Sequence, residues 1–387
     1  RAVGEADADD EAGQPPQRLG CHDRWTPRAG SPFPGPEIAR MKYRTLPNTE
    51  ITVSEVGFGL WTTATGWWGD TSDDDAVKLM HEALSLGITT FDAADTYGNG
   101  RSEEQLAKAF AHRRGDVVYA TKFGYDWYHH AGERKGQNEI EQDFSPAFVR
   151  YALEQSLKRL QTDYVDVYQM HNARMEQVRD GALIELLEAF RAEGKIRTWG
   201  VALGPAIGWL WEGIESARVN APVVQMIWNM LEQFPGDQMV DAANEFGTDT
   251  TYFIRVPHSS GMLEGRYTED TVFPPTDHRS HRPRQWLING IRKVETLRFL
   301  EEPGRTLGQA AIQWLLAEPR VMTVLPNIYD SEQLREFAAA PDAPRLSQDE
   351  LAKIAELRKS NFGVGPEQSR YKGTMDAPPD AAIPAHA

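Results

Sequence analysis

Short apolar runs alternate with helix-sized amphipathic segments along most of this chain of 387 residues. Within residues 148–160, for example, Val149, Leu153, Leu157 and Leu160 recur at the spacing of one helix face. Strands that alternate with helices form parallel sheets. The runs with strand character are residues 56–60, 88–91, 117–121, 164–170, 196–202, 223–227, 251–256 and 322–325. Eight such units predict an α/β fold of the (β/α)8 TIM-barrel type, with the active site at the C-terminal ends of the strands.

A doubly wound open sheet is the alternative architecture for the same alternation. That fold usually carries Gly-x-Gly-x-x-Gly between its first strand and helix, where it binds a dinucleotide. None of the predicted strands is followed by this motif. The pattern therefore favours the closed barrel.

The two ends of the chain differ from this alternating body. Residues 1–40 are rich in Gly, Pro, Ala and Asp, and we predict a disordered N-terminal extension, with Met41 as a candidate native start. Residues 362–387 have a similar composition and are predicted to form a flexible C-terminal tail. The barrel is accordingly assigned to residues 41–361.

Composition narrows the classes of function. A formal net charge of −16 argues against non-specific binding to nucleic acid, because an acidic surface repels phosphates. Apolar stretches long enough to span a membrane and a secretory signal are both missing from the sequence. Cys21 is the single cysteine, which excludes an internal disulfide and a cysteine-built zinc site. We expect a soluble, cytoplasmic protein with a small-molecule substrate.

Four polar side chains follow three consecutive predicted strands. Asp92 and Tyr97 follow the second strand, Lys122 the third and His171 the fourth. An ammonium beside a tyrosine favours the phenolate, which suits a hydroxyl that exchanges protons near neutral pH. A carboxylate would hold the lysine charged, and a histidine would orient a carbonyl. The set predicts proton transfer to a carbonyl oxygen during hydride transfer to its carbon.

The motifs around these residues resemble those of the aldo-keto reductases, in order and in spacing. They are VGFGLW at 56–61, GITTFDAADTYG at 87–98, RSEE at 101–104, ATK at 120–122, SLKRL at 156–160 and DYVD at 163–166 before His171. The segment GMLEGRYTED at 261–270 resembles the bacterial branch that includes the inositol-locus reductases. The resemblance implies that Tyr97 is the general acid, that Lys122 and Asp92 tune it, and that His171 positions the carbonyl.

The positions that this resemblance assigns to the nicotinamide are less regular. A Ser-Asn pair that contacts the carboxamide in the family is replaced by Ala202 and Leu203, so Gln225 is left to make this contact. Arg255 stands where an aromatic residue usually stacks under the ring. Its guanidinium plane could stack in the same way, or it could pair with an acidic neighbour.

NADPH is the cofactor that the resemblance favours, yet the 2′-phosphate clamp is weak. Asn327, Ile328 and Gln333 stand where Lys, Ser and Arg are expected, and Arg335 is the only basic residue nearby. NADH is therefore a serious candidate. Gly59 and Trp61 complete the predicted cofactor contacts.

Aromatic residues are expected around the substrate. Trp61 matches a pocket residue of the family, and loops at the same rim are expected to carry further aromatic residues: Trp67, Trp68, Trp127 and Tyr128. Such walls suit sugar-like or aromatic carbonyl compounds. These aromatic residues could instead be packing residues that close the top of the barrel without contacting a substrate. The histidine pair His129-His130 lacks acidic or cysteine partners at ligand spacing, so no metal is predicted.

Three hypotheses of function follow. The first is an oxidoreductase that uses NADPH or NADH on a carbonyl or alcohol group. The second is a non-catalytic nicotinamide-binding subunit or redox sensor, since the cofactor positions depart from the family pattern. The third is a barrel lyase or isomerase that uses no nicotinamide, for which the four polar residues would have to serve another reaction.

Overall fold

The computed structural model describes residues 40–130, 139–367 and 370–381, which belong to one compact unit. Eight parallel strands form a single sheet in chain order, as predicted. They are β3 (Phe58–Gly59), β4 (Thr90–Asp92), β5 (Val118–Phe123), β6 (Val165–His171), β7 (Ile196–Ala202), β8 (Val223–Ile227), β9 (Thr251–Arg255) and β10 (Val321–Leu325). A parallel bridge between Val56 and Val324, with Gly57 N–H donating to Val324 O at 2.9 Å, joins the last strand to the first and closes a (β/α)8 barrel.

A short antiparallel hairpin covers the N-terminal end of the barrel. Its strands are β1 (Tyr43–Thr45) and β2 (Thr52–Ser54). Leu46, Ile51 and Val53 of this hairpin are buried against side chains from the strands of the barrel, such as Val167 and Phe253. The hairpin therefore seals one end of the barrel, and the opposite end remains for a ligand.

Twelve helices surround the sheet in the part of the chain that the structure describes. They are α1 (Trp61–Ala64), α2 (Asp73–Ser85), α3 (Arg101–Phe110), α4 (Pro146–Leu160), α5 (Met175–Val178), α6 (Gly181–Ala192), α7 (Leu210–Arg218), α8 (Gly236–Phe246), α9 (Arg284–Leu297), α10 (Leu307–Leu316), α11 (Ser331–Ala338) and α12 (Gln348–Lys359). The apolar faces of most of them pack on the strands to form the main core, whereas α9, α12 and one side of α10 form a second cluster.

Local sequence explains where several elements begin. Ser72 Oγ accepts from Asp75 N–H and starts α2, and Ser145 does the same for α4 through Phe148 N–H. Helix α4 begins two residues before the segment 148–160 in which periodicity predicts a helix, and it ends at the same residue, Leu160. Strand β3 is shorter than its apolar run, because only Phe58 and Gly59 pair with the neighbouring strand.

Part of the segment predicted to form a flexible tail, residues 362–387, is described by the structure. Residues 370–381, which we call the C-terminal strap, are held to the barrel by hydrogen bonds. Lys372 N–H donates to Ile207 O at 2.9 Å, Trp209 N–H donates to Lys372 O at 2.7 Å, and Trp211 N–H donates to Thr374 O at 3.1 Å. Composition could not show this, because backbone groups make these bonds whatever the side chain. The predicted N-terminal extension lies outside the described residues, apart from Arg40.

Among the described residues, no helix is both long and apolar enough to cross a membrane.

The carboxylate of Asp166 joins three elements at the base of β5, β6 and β7. It accepts from Tyr119 N–H at 2.8 Å, from Arg114 at 2.6 Å and from Arg197 at 2.9 Å, and its side chain is 1% exposed. We expect Asp166→Ala to lower the free energy of unfolding by about 3–5 kcal/mol, because the Arg114 charge would stay buried without its partner. Urea unfolding followed by circular dichroism measures this.

The matched control is Asp116→Ala, which breaks the exposed ion pair of Asp116 with Arg113. Exposed pairs of this kind contribute about 0–1 kcal/mol. If both variants lose the same free energy of unfolding, the Asp166 contacts do not contribute the stability that we expect of them.

Candidate active site

The register of the parallel strands brings three of the four predicted catalytic residues to one end of the barrel. Asp92 is the last residue of β4, Lys122 lies near the end of β5, and His171 is the last residue of β6. Tyr97 follows β4 in the loop before α3. All four side chains are at least nine-tenths buried.

An ion pair lies at the centre of this group. Lys122 Nζ is 2.6 Å from Asp92 Oδ2 and donates to Ala93 O at 2.7 Å. The same ammonium is 4.7 Å from the centroid of the Tyr97 ring. Burial alone would lower the pKa of the Lys122 ammonium, but Asp92 and Tyr97 beside it raise that pKa above its usual value. Lys122 is therefore a fixed positive charge next to the tyrosine.

The second oxygen of Asp92 is held by two amides that line the barrel interior. Gln225 Nε2 donates to Asp92 Oδ1 at 2.8 Å, and Gln169 Nε2 reaches the same atom at 3.3 Å. Sequence reasoning missed Gln169. A glutamine inside a buried strand, two residues before His171, was a usable signal for it. Gln225 was predicted to contact the carboxamide of a nicotinamide; here its NH2 group faces Asp92.

His171 lies edge-on to Tyr97, with ring centroids 5.7 Å apart. The ring of Tyr125 also lies edge-on to His171, with centroids 5.0 Å apart. Tyr125 donates its hydroxyl to Glu139 and accepts from Asn172 Nδ2, the latter at 2.7 Å. The imidazole thus contacts two tyrosine rings at the mouth of the barrel.

The predicted catalytic end of the barrel opens into a cavity of about 640 Å³. Predicted site residues that line it are Asp92, Tyr97, His171, Gly59, Trp61, Gln225, Arg255 and Asn327. Lys122 lies beneath them. Trp67 and Trp68, also expected at the rim, line it as well. Residues that sequence reasoning did not assign to the site complete the lining: Tyr125, Glu139, Arg174, Trp209 and Lys372. The walls are therefore rich in aromatic side chains and also carry charged groups.

Trp127 and Tyr128 were predicted at the substrate rim, and the structure places them outside this cavity. Their rings stack with centroids 4.4 Å apart, and the Arg159 guanidinium lies over both. Arg159 also donates to Tyr128 Oη at 2.8 Å and pairs with the buried Glu103 at 2.7 Å. The buried arginine holds these aromatics against α4, so the expectation is corrected.

Within the described part of the chain, Arg255 makes no ion pair with an acidic residue. It donates to the carbonyl oxygens of Leu203 and Gly204, the two residues that follow the end of β7. Burial lowers the pKa of its guanidinium below the usual value. Its Nε is buried and has no hydrogen-bond partner among the described residues.

Gln333 was predicted as a cofactor contact, and the structure places it behind the cavity wall. It is fully buried, and its Nε2 donates to Glu264 Oε2 at 3.0 Å. Burial raises the pKa of Glu264 to about 7. Arg335, the basic residue predicted nearby, pairs with Glu82 at 2.6 Å.

No group of three or more metal-ligating side chains occurs within residues 40–130, 139–367 and 370–381. His129 instead contacts the Asp126 carboxylate at 2.8 Å.

Comparison with known proteins agrees with this geometry. The model of the "Aldo/keto reductase family" matches residues 55–359. An uncharacterized oxidoreductase, YqkF, from Bacillus subtilis is 29% identical over 83% of this chain and 98% of its own. The NADH-specific methylglyoxal reductase of Escherichia coli is 26% identical over 82% of this chain and 100% of its own.

Among solved structures, the holo form of aldo-keto reductase AKR11C1 from Bacillus halodurans is similar, with a TM-score of 0.65 and 28% identity over 82% of this chain and 96% of its own. The family model covers most of the barrel and includes the whole predicted tetrad. This chain therefore belongs to the aldo/keto reductase family of NAD(P)H-dependent oxidoreductases.

Proposed function

We propose that this protein transfers hydride between a nicotinamide cofactor and the carbonyl or alcohol carbon of a sugar-like or aromatic substrate, with Tyr97 as the general acid and base. The observation that carries the proposal is the buried Lys122–Asp92 pair beneath Tyr97, with His171 edge-on to the same ring. The cavity above them is large enough for a small organic substrate and is lined by indole rings.

The residues that face the cavity fit a nicotinamide cofactor. A Cβ placed on Gly59 would meet no atom within 4 Å, so β3 opens directly onto free space. Gln225, Arg255 and Asn327 also line this space, and the buried Nε of Arg255 lacks a partner. These residues would hold the cofactor, which when reduced and bound supplies the hydride.

Each member of the tetrad has a separate part in the proton transfer. The Tyr97 hydroxyl donates a proton to the carbonyl oxygen while the carbon becomes tetrahedral, and takes it back in the alcohol direction. The adjacent Lys122 ammonium stabilises the phenolate that remains. Asp92 keeps Lys122 charged and in place, and His171 orients the carbonyl oxygen toward Tyr97.

We further infer that NADH is preferred over NADPH. The neutral Asn327 lines the cavity, Gln333 is engaged by Glu264, and Arg335 by Glu82. The guanidinium groups of Arg266 and Arg279 are also ion-paired, to Glu336 and Asp277. Arg335, the one cation that the sequence places near the 2′-phosphate, is therefore already paired with a carboxylate.

The non-catalytic alternative remains a prediction, because no structural feature favours it over catalysis. Membership of an oxidoreductase family disfavours the lyase or isomerase hypothesis.

The first test concerns Tyr97. We expect Tyr97→Phe to lower kcat by about 10²–10⁴-fold, the usual contribution of a general acid, while the Kd of NADH changes less than about twofold. Turnover of an aromatic aldehyde and tryptophan fluorescence titration measure the two quantities. Tyr151→Phe, at an exposed position on α4, is the matched control. A Tyr97→Phe enzyme with the wild-type rate would refute the mechanism, and a wild type that binds NADH without turnover would favour the non-catalytic subunit.

The second test concerns cofactor choice. Because Asn327 lines the cavity, Asn327→Lys should strengthen NADPH binding about tenfold and change NADH binding little. Gln333→Arg should shift the preference less, because the new guanidinium would pair with Glu264. Fluorescence titration with both cofactors gives the Kd ratio for each variant. An unchanged ratio in Asn327→Lys would show that this position does not face the 2′-phosphate.

A further inference from the structure

We propose that Lys372, carried by the C-terminal strap, selects substrates that bear an anionic group in addition to the carbonyl. This inference rests on the proposed function, since it names the substrate class of the same site. Lys372 and Gly373 of the strap line the cavity together with Trp209 and Arg174. The catalytic end of the barrel is therefore completed by a segment near the end of the chain.

The strap is attached by a continuous set of backbone bonds to the loop after β7. Lys372 pairs with Gly208 in a parallel bridge, and its N–H and C=O bond Ile207 and Trp209. Gly208 has φ +130°, and a Cβ there would lie 2.2 Å from Lys372 O. This position accepts the strap only as glycine. The backbone of Lys372 is thus fixed relative to the cavity.

The indole of Trp209 is clamped between the barrel and the strap. A Cβ on Gly204 would lie 1.9 Å from this ring, and a Cβ on Gly373 would lie 2.5 Å from it. The Arg174 guanidinium lies over the same indole, 4.5 Å from its centroid. Two glycines far apart in sequence therefore allow one aromatic ring to join both segments beside Lys372.

A buried carboxylate also depends on the strap. Glu212 in the first turn of α7 is 2% exposed. Its side chain accepts from Thr374 Oγ1 at 2.7 Å and from Thr374 N–H at 3.1 and 3.2 Å. Leaving a buried carboxylate without hydrogen bonds is costly, so the docked strap is strongly favoured over a detached one.

The charges around the cavity leave Lys372 available to a ligand. The two carboxylates of the lining are already paired, Asp92 with Lys122 and Glu139 with Arg174. Arg255 is held by backbone carbonyls. No carboxylate of the described residues lies within ion-pair distance of Lys372, and Lys372 is exposed. In a protein of net charge −16, a cavity with unpaired cations favours an anionic occupant.

The occupant that fits is an aldehyde or ketone whose carboxylate or phosphate contacts Lys372 while its carbonyl contacts Tyr97 and His171. The aromatic walls accept the part of the molecule between them. Lys372 is a specificity residue in this scheme, since it does not touch the reacting atoms.

The test measures discrimination between matched substrates by the full chain with NADH. The first pair is 4-carboxybenzaldehyde and its neutral isostere 4-formylbenzamide, and the second is glyceraldehyde 3-phosphate and glyceraldehyde. We expect wild type to favour the anionic member of at least one pair in kcat/KM; the pair with the larger ratio identifies carboxylate or phosphate. Lys372→Met should lower this ratio about tenfold, mainly through the KM of the anionic member, because it removes a charge-assisted hydrogen bond.

Two further variants of Lys372 and one control variant at another lysine complete the experiment. Lys372→Arg should restore most of the ratio, and Lys372→Glu should lower it below that of Lys372→Met. Lys359→Met removes an exposed lysine of α12 that pairs with Glu356, so it should keep the wild-type ratio. A wild-type ratio near one in both pairs, or a ratio unaffected by Lys372→Met, would overturn the proposal.

Binding of benzoate, followed by tryptophan fluorescence, separates this proposal from the catalytic one. Benzoate carries the anionic group but no reducible aldehyde, and it is expected to bind wild type more tightly than Lys372→Met. If benzoate binds in this way but no aldehyde of either pair is reduced, the anion site is supported and the proposed hydride transfer is wrong. If both neutral aldehydes are reduced as well as the anionic ones, the hydride transfer stands and the anion site is wrong.

Discussion

The buried ion pair between Lys122 and Asp92 lies at the centre of the barrel mouth, and the neighbouring polar groups are arranged around it. Removing two charges from water costs several kcal/mol each, and their attraction offsets this only when the remaining hydrogen-bonding groups are satisfied. Here Ala93 O accepts from the ammonium, and Gln225 with Gln169 donates to the second carboxylate oxygen. The pair can therefore stay charged beneath Tyr97, which the proposed proton transfer requires.

This arrangement depends on the closure of the barrel. Asp92, Lys122 and Gln225 belong to β4, β5 and β8, and only a closed sheet brings β8 across from β4. An open sheet of the same strands would leave the Asp92 carboxylate with fewer donors. The bridge of Val56 to Val324 and the hairpin beneath the barrel thus contribute to the site without touching it.

Around this fixed centre, the cavity wall is built from loops and from the C-terminal strap. Trp209 joins the loop after β7 to the strap, and Tyr125 joins His171 to Glu139. Such a division, with rigid chemistry at strand ends and recognition on loops, is general for this type of barrel. It follows that variation in the strap would change substrate choice more than the reaction.

Local sequence was sufficient for the fold and for the tetrad. Strand and helix periods are set by nearby residues in the sequence. Asp92, Lys122 and His171 each follow a predicted strand directly, and Tyr97 lies in the loop after the second strand, so the common direction of parallel strands places them together. The same reasoning placed Trp127 and Tyr128 at the rim, where it failed. Their position is decided by contact with Arg159, an ion-paired residue of α4 that the loop sequence does not reveal.

The sequence by itself therefore determined the alternation of strands and helices, the barrel that follows from it and the chemical identity of the four buried groups. Tertiary structure alone decided which aromatics face the cavity, that Gln333 is bound to Glu264, and that the C-terminal strap completes the cavity wall. The physical reason is the range of the interactions. Glu212 and Thr374 are 162 positions apart and meet through a carboxylate and a backbone amide, a contact that no local pattern encodes.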